Sequence, residues 1–255
     1  MSELLFLGTG AADWEMEQRN GFFRRNSAAL VNRDLLLDCG AHIFDFAEER
    51  MLPDLYRSVS HILVTHDHSD HISPESVHRL AKRQKLTIGC DRSVMERIGS
   101  HPNITYTLLK PFEKVTFGSY TVIPLLANHH IVADGENYAF HHIVKTNDGK
   151  TLFYGLDSAW FLRPSWEVMK QHRFDVMVLD CTVGDKHDWR IFEHNTIPML
   201  REQMKEIEAQ NLLAEHGVAV ASHFARTLHT THEETERVLH EFGMIAAYDG
   251  MRLEF

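Results

Sequence analysis

The sequence predicts an α/β sandwich in which two mixed β-sheets pack face to face and helices cover both outer faces. Two observations predict it: two strand-rich halves each carry their own helices, and a chain of 255 residues, 44% hydrophobic and 10% aromatic, can bury a large core. No repeat, low-complexity tract or Pro/Ser-rich linker interrupts the sequence, so one domain over 1–255 is expected.

The elements follow in order. Short apolar runs at 4–7, 28–32 and 35–38 read as strands, 41–51 as a helix, and 61–65 as a buried strand ending in a polar loop. Pro74 suits the first position of a helix to about 84, because a proline costs nothing where the backbone N–H has no partner. The stretch 104–156 is strand-rich, with Asn147-Asp148-Gly149 as the turn between strands 138–145 and 151–156. A helix at 164–171 precedes the apolar strand 176–179. Ile197, Leu200, Met204 and Ile207 recur at helical spacing and predict an amphipathic helix over 196–210. A strand at 218–221 follows, and Thr231 with Glu234 forms a capping box that opens a helix to about 242.

A formal net charge of -10 argues against non-specific nucleic-acid binding, which needs a basic surface to displace counterions. The three cysteines, Cys39, Cys90 and Cys181, are far apart and form no CxxC pair, so neither a disulfide framework nor a thiolate zinc site is expected. The first residues lack a basic leader, and no apolar run approaches a membrane span. A soluble, unprocessed, cytoplasmic protein without membrane contact is the expectation. Its oligomeric state stays open, a homodimer among the options.

The strongest chemical signal is Thr65-His66-Asp67-His68-Ser69-Asp70-His71, directly after a strand. Three imidazoles and the Asp70 carboxylate within six positions can fold onto a metal. Nitrogen and carboxylate donors without thiolates suit Zn²⁺ or Mn²⁺.

This segment resembles the signature of the metallo-β-lactamase superfamily. Gly8-Thr9-Gly10, Leu36-Leu37-Asp38-Cys39-Gly40, Asn128-His129, Tyr154-Gly155-Leu156-Asp157-Ser158 and Ser222-His223 occur in that family's order, so the resemblance spans nearly the whole chain. It implies that family's αββα sandwich and two divalent metal ions. One would be bound by His66, His68 and His129, the other by Asp70, His71 and His223, with Asp157 bridging them. His129 is chosen over its neighbour His130; since adjacent strand residues face opposite ways, His130, His141 and His142 stay open as supporting or exposed residues.

The run Val176-Met177-Val178-Leu179-Asp180-Cys181, the pair His194-Asn195 before a helix, and the ending Ala246-Ala247-Tyr248-Asp249-Gly250-Met251 are similar to phosphodiesterase-type members, the group of ribonuclease Z and phosphoribosyl cyclic phosphate phosphodiesterase. A histidine placed like His194 is, in that group, the proton donor to the leaving alkoxide. The chain departs from the latter enzyme after the Gly-Thr-Gly turn, where Ala11 to Arg25 contains no cysteine and the cysteine-rich zinc insertion is missing. Arg24 and Arg25 are balanced there between binding a substrate phosphate and simple solvation.

The expected activity is hydrolysis of a small, possibly cyclic, phosphodiester by a metal-bridged hydroxide, with His194 as general acid and Asp67 orienting the ligands from behind. The position of His194 just before a helix start is expected to disfavour its protonated form. Three alternatives stay open: a ribonuclease Z-like RNA-processing nuclease, a β-lactam or thioester hydrolase, and a non-catalytic metal- or nucleotide-binding sensor.

Overall fold

Two seven-stranded sheets are stacked with their apolar faces together. The computed structural model describes residues 1–14, 23–129 and 137–255. The first sheet has the order β14-β1-β2-β3-β4-β5-β6, the second β13-β12-β11-β10-β9-β8-β7. Their strands are β1 (Glu3–Gly8), β2 (Ala28–Val31), β3 (Leu35–Leu37), β4 (His61–Leu63), β5 (Leu86–Cys90), β6 (Ile104–Leu108) and β14 (Arg252–Glu254), then β7 (Val115–Phe117), β8 (Tyr120–Leu126), β9 (Phe140–Lys145), β10 (Thr151–Gly155), β11 (Phe174–Asp180), β12 (Leu213–Ser222) and β13 (Met244–Ala246). Both sheets follow one plan. An antiparallel half, β14 to β3 in one and β7 to β10 in the other, continues into parallel strands, β3 to β6 and β10 to β13.

Alternation within the strands assigns side chains to layers, since successive side chains point to opposite faces. Leu4, Phe6, Leu35, Leu37 and Leu63 meet Phe140, Val144, Leu152, Tyr154, Val176 and Val178 between the sheets. Leu5, Leu30, Leu36 and Ile62 face outward under α1 (Ile43–Glu49), α2 (Pro74–Ala81) and α3 (Arg92–Ile98). On the other side Ile143, Phe153, Met177 and Leu179 lie under α4 (Arg163–Met169), α5 (Ile197–Ala209) and α6 (His232–His240). Each fully buried Leu, Ile or Phe contributes roughly 1.5–3 kcal/mol by leaving water. This is the αββα sandwich expected.

Local signals account for the helix starts. Ser73 caps α2 by accepting from Ser76 N at 3.2 Å, with Pro74 in the first turn; Thr196 caps α5 by accepting from Met199 N at 3.1 Å. Thr231 and Glu234 form the capping box of α6. Gly149, at φ +87°, closes the β9–β10 hairpin. A side chain at Gly8 would stand 1.9 Å from the Asn26 carbonyl, so only glycine lets β1 run this close to the following loop. The three cysteines are buried and unpaired, as expected. No helix of the described residues is long and apolar enough to cross a membrane.

Arg24 and Arg25 have a role that neither reading of the sequence contained. Both are buried. Arg24 donates to Thr9 Oγ1 (2.7 Å) and the Ala247 carbonyl (2.6 Å) and lies 4.1 Å above the Phe224 ring. Arg25 pairs with Glu49 and, at 3.2 Å, with Asp249, whose other oxygen accepts from Thr9. The two guanidiniums tie the Gly8-Thr9-Gly10 turn to the C-terminal segment, and their charges are spent on the fold instead of on a phosphate.

Candidate metal centre

Strands that run in the same direction end at the same edge of their sheet, and here both sheets deliver polar residues at one edge. Asp38 follows β3, the segment from His66 to His71 follows β4, His129 follows β8, Asp157 follows β10, Asp180 ends β11 and His223 follows β12. Asp38, Asp157 and His223 turn away from their strands with φ of 56°, 44° and 62°, the left-handed region that disfavours residues other than glycine. Asn128 N donates to Ser158 Oγ at 3.0 Å, fastening the loop that bears His129 to the one that bears Asp157.

Two groups of donors converge. One ligand atom each from His66, His68, His129 and Asp157 lie within 4.8 Å of one another, and so do those of Asp70, His71, Asp157 and His223. Asp157 belongs to both. Its Oδ2 lies 3.7 Å from His66 Nε2 and 3.6 Å from His129 Nε2, its Oδ1 2.8 Å from His71 Nε2 and 3.1 Å from His223 Nε2. All seven residues expected to bind metal are thereby brought together. His130 lies outside the described residues.

The hydrogen bonds behind the rings fix what the converging nitrogens present. His71 Nδ1–H donates to Asp38 Oδ2 at 2.8 Å, and Asp38 is itself held by Thr65 N at 2.8 Å. Thr182 Oγ1 gives its one proton to Asp180 and therefore accepts from His223 Nδ1–H (2.7 Å) and His194 Nδ1–H (3.0 Å). His129 Nε2 lies 3.2 Å from His68 Nδ1, and neutral His71 and His223 point Nε2 lone pairs at each other across 3.1 Å. Lone pairs so opposed repel unless positive charge lies between them. His66 Nε2, buried, has no hydrogen-bond partner among the described residues.

Charge balance leads to the same place. Burial would raise the Asp157 pKa, but the imidazoles of His223 and His71 outweigh it and hold the carboxylate well below its usual range. Burial would likewise lower His223, yet Asp157, Asp180 and Asp70 push it up to about 10, and Asp157 and Asp38 raise His71. Burial lowers His66 and brings His129 down to about 4. A centre that draws protons onto two of its imidazoles while keeping others neutral has a deficit of positive charge, which divalent cations on these nitrogen and carboxylate donors remove. The residues fit two such ions.

His194 stands beside this centre, with its ring 4.9 Å from that of His129 and stacked at 5.8 Å on that of His223. Burial would lower its pKa, but the Asp180 carboxylate, 3.5 Å away, outweighs it and raises the value above 6.5. The downward shift expected from the helix start is thus reversed, although α5 does begin where the sequence placed it. Asn195, buried beside it, donates its N–H to Asp180 Oδ2 (2.7 Å) and accepts from Gln203 Nε2 (2.7 Å), locking the loop that presents His194. Asp157, Asp180, His194 and His223 also form a third cluster within 4.8 Å, but Asp180 already accepts from Thr182 and Asn195 there. That cluster is a hydrogen-bond network behind the donors.

Asp67, expected to orient the ligands, is half-buried and makes no hydrogen bond or ion pair among the described residues. Asp38 and Asp180, both fully buried, hold that position instead. His141 and His142 face away from the converging donors: His142 donates Nε2–H to the Val64 carbonyl at 3.2 Å, and His141 packs among Phe153 and Phe161. A cavity of about 180 Å³ opens over the centre, lined by Ala11, Asp13, Asp70, Asp157, Trp189 and His194 among others.

Residues 33–241 match the family model described as "Beta-lactamase superfamily domain", a span that contains every donor above. The chain belongs to this superfamily, and its His/Asp centre makes it a metal-dependent hydrolase of that kind. Among solved structures it resembles a diphosphatase from the PhnP family (18% identity, TM-score 0.74, covering 100% of this chain and 98% of that one). Yeast PDE1 is similar (13%, 0.74, 100% and 99%), as is the short form of human tRNase Z (17%, 0.68, 99% and 98%). At these identities the likeness is one of fold. No curated protein matches the sequence.

Proposed function

We propose that this protein is a dinuclear metal-dependent phosphodiesterase for a small diester. In this reading His66, His68 and His129 hold one divalent cation, Zn²⁺ or Mn²⁺, Asp70, His71 and His223 hold the other, and Asp157 lies between. The observation that carries it is His194, a buried imidazole of raised pKa, anchored through Nδ1 and set against the metal donors. A proton donor there answers the need of a basic alkoxide leaving group. The modest cavity suits a small substrate, and the phosphodiesterase and nuclease among the similar folds agree with a phosphodiester.

When bound, the two cations would lower the pKa of a shared water towards neutrality and offset charge on the phosphoryl oxygens. His194 supplies the rest. With both nitrogens protonated it keeps Nδ1–H on Thr182 Oγ1 and gives Nε2–H to the departing oxygen. Asp180 stabilises the imidazolium before transfer, and the Asp38–His71 and Thr182–His223 bonds hold the donor rings in the tautomer that binds metal.

The test is metal analysis joined to turnover of bis-p-nitrophenyl phosphate, cyclic nucleotides, cyclic ribose phosphates and a β-lactam. Two metal equivalents with hydrolysis of a phosphodiester are expected. Hydrolysis of the β-lactam alone, or a single metal equivalent at full activity, overturns the reading.

A further inference from the structure

Resting on the phosphodiesterase reading, we propose that Trp189 is the platform on which the expelled alcohol stacks, so that the site selects leaving groups bearing a neutral planar aromatic ring. Trp189 sits on a short 3-10 turn, Trp189–Phe192, and lines the cavity that contains Asp157 and His194. Its side chain is 69% exposed and makes no ring contact or hydrogen bond among the described residues. A bare indole beside a catalytic cavity offers a stacking face to whatever enters.

The turn that carries this ring also carries the acid. Asp188 caps it by accepting from Arg190 N at 2.9 Å and holds the Arg190 guanidinium at 2.7 and 3.0 Å, while His194 N donates to the Arg190 carbonyl at 2.8 Å. The backbone that bears the ring is therefore tied to the backbone that bears the proton donor. Because His194 protonates the departing oxygen, the group attached to that oxygen lies on the side of the cavity where Trp189 stands. Charge narrows the choice further. Arg190 is paired with Asp188, and Glu193 and Asp13, the latter accepting from Arg226 N and Thr227, also line the cavity, so no unpaired guanidinium or ammonium among the described lining residues receives an anionic leaving group. An uncharged nucleoside or aryl alcohol fits this wall, whereas a leaving group that keeps a phosphate of its own does not.

The experiment compares adenosine 5′-methyl phosphate with 1-O-methylribose 5-methyl phosphate, which lacks the base, and with 2-phenylethyl methyl phosphate as the aryl case. In wild type the base-bearing ester should exceed the base-free one in kcat/KM by roughly 5- to 150-fold, the range that one stacked base supplies. Trp189→Ala should bring that ratio close to one, and Trp189→Phe should keep part of it. An equal preference for the phenylethyl ester marks an aryl alcohol as the partner; a lesser one marks a nucleoside, and both support the platform. A wild-type ratio near one, or equal losses on all esters in Trp189→Ala, overturns it. Equal losses with an altered sedimentation coefficient would show the ring to be a contact between copies of the chain, which also overturns it. Failure of wild type on every diester, bis-p-nitrophenyl phosphate included, brings down the phosphodiesterase reading and the platform together, whereas cleavage without base preference removes the platform alone.

Discussion

Replacing His194 by alanine separates leaving-group chemistry from metal binding. The imidazole is not among the seven converging donors; its Nδ1–H bonds Thr182 Oγ1 with Asp180 Oδ2 3.5 Å away, and in its absence Thr182 still donates to Asp180 and accepts from His223. Metal content should therefore be preserved, and the structural cost is one hydrogen bond, about 1 kcal/mol, together with the packing of the ring on His129 and His223. Catalysis is a different matter. A positioned proton donor is worth about 10²–10⁴ in rate, or roughly 2.7–5.4 kcal/mol of barrier, when the leaving group is a ribose alkoxide. A nitrophenolate leaves without help, so its ester should lose less than about tenfold. The assay is kcat on both substrates in wild type and His194→Ala at matched metal occupancy. Equal losses on the two, or loss of metal in the variant, would refute the assignment of His194 as general acid.

Four further outcomes follow from the same geometry. Asp157→Ala removes the carboxylate whose two oxygens face both donor groups and should lower metal content at both sites together, read by elemental analysis. Asp38→Asn weakens the hold on His71 Nδ1 and should cost about 10- to 100-fold in metal affinity, measured by competition with a chelator. Arg24→Ala strips bonds from Thr9 and Ala247 and should lower Tm by several degrees while leaving KM unchanged, because the guanidinium lies away from the cavity. The raised pKa of His194 sets a pH limb: its protonated form persists somewhat above 6.5, so turnover of an alkoxide ester should fall as pH rises through the shifted value, and a nitrophenyl ester should lack that limb.

The converging donors are legible in the sequence because most carry local signals. The segment from His66 to His71 is dense in ligands, and the others follow apolar runs that read as strands. Asp38 and Asp180 lay within quoted motifs, but their roles depend on the register between neighbouring strands, which puts Asp38 beside His71 and Asp180 between His194 and His223. Asp67 stands out by sequence adjacency, yet it makes no hydrogen bond or ion pair among the described residues. Among the elements, α5 and the β9–β10 hairpin came close to their observed bounds, since each has a strong periodic or turn signal. The strands β5, β13 and β14 and the helix α3 went unread; β14, only three residues long and largely exposed, owes its existence to pairing with β1 from the far end of the chain.

The left-handed backbone at Asp38, Asp157 and His223 sets the demands of the reaction against those of folding. Such a conformation costs a residue with a Cβ on the order of 1 kcal/mol, a penalty that glycine escapes. At Asp157 and His223 the residue easiest to fold and the residue able to offer a donor to a metal are different amino acids. A population of variants selected for heat resistance alone would drift towards glycine at these strand ends and arrive at hardier proteins with dead centres. Asp157 and His223 would persist there only under selection for the chemistry their side chains supply.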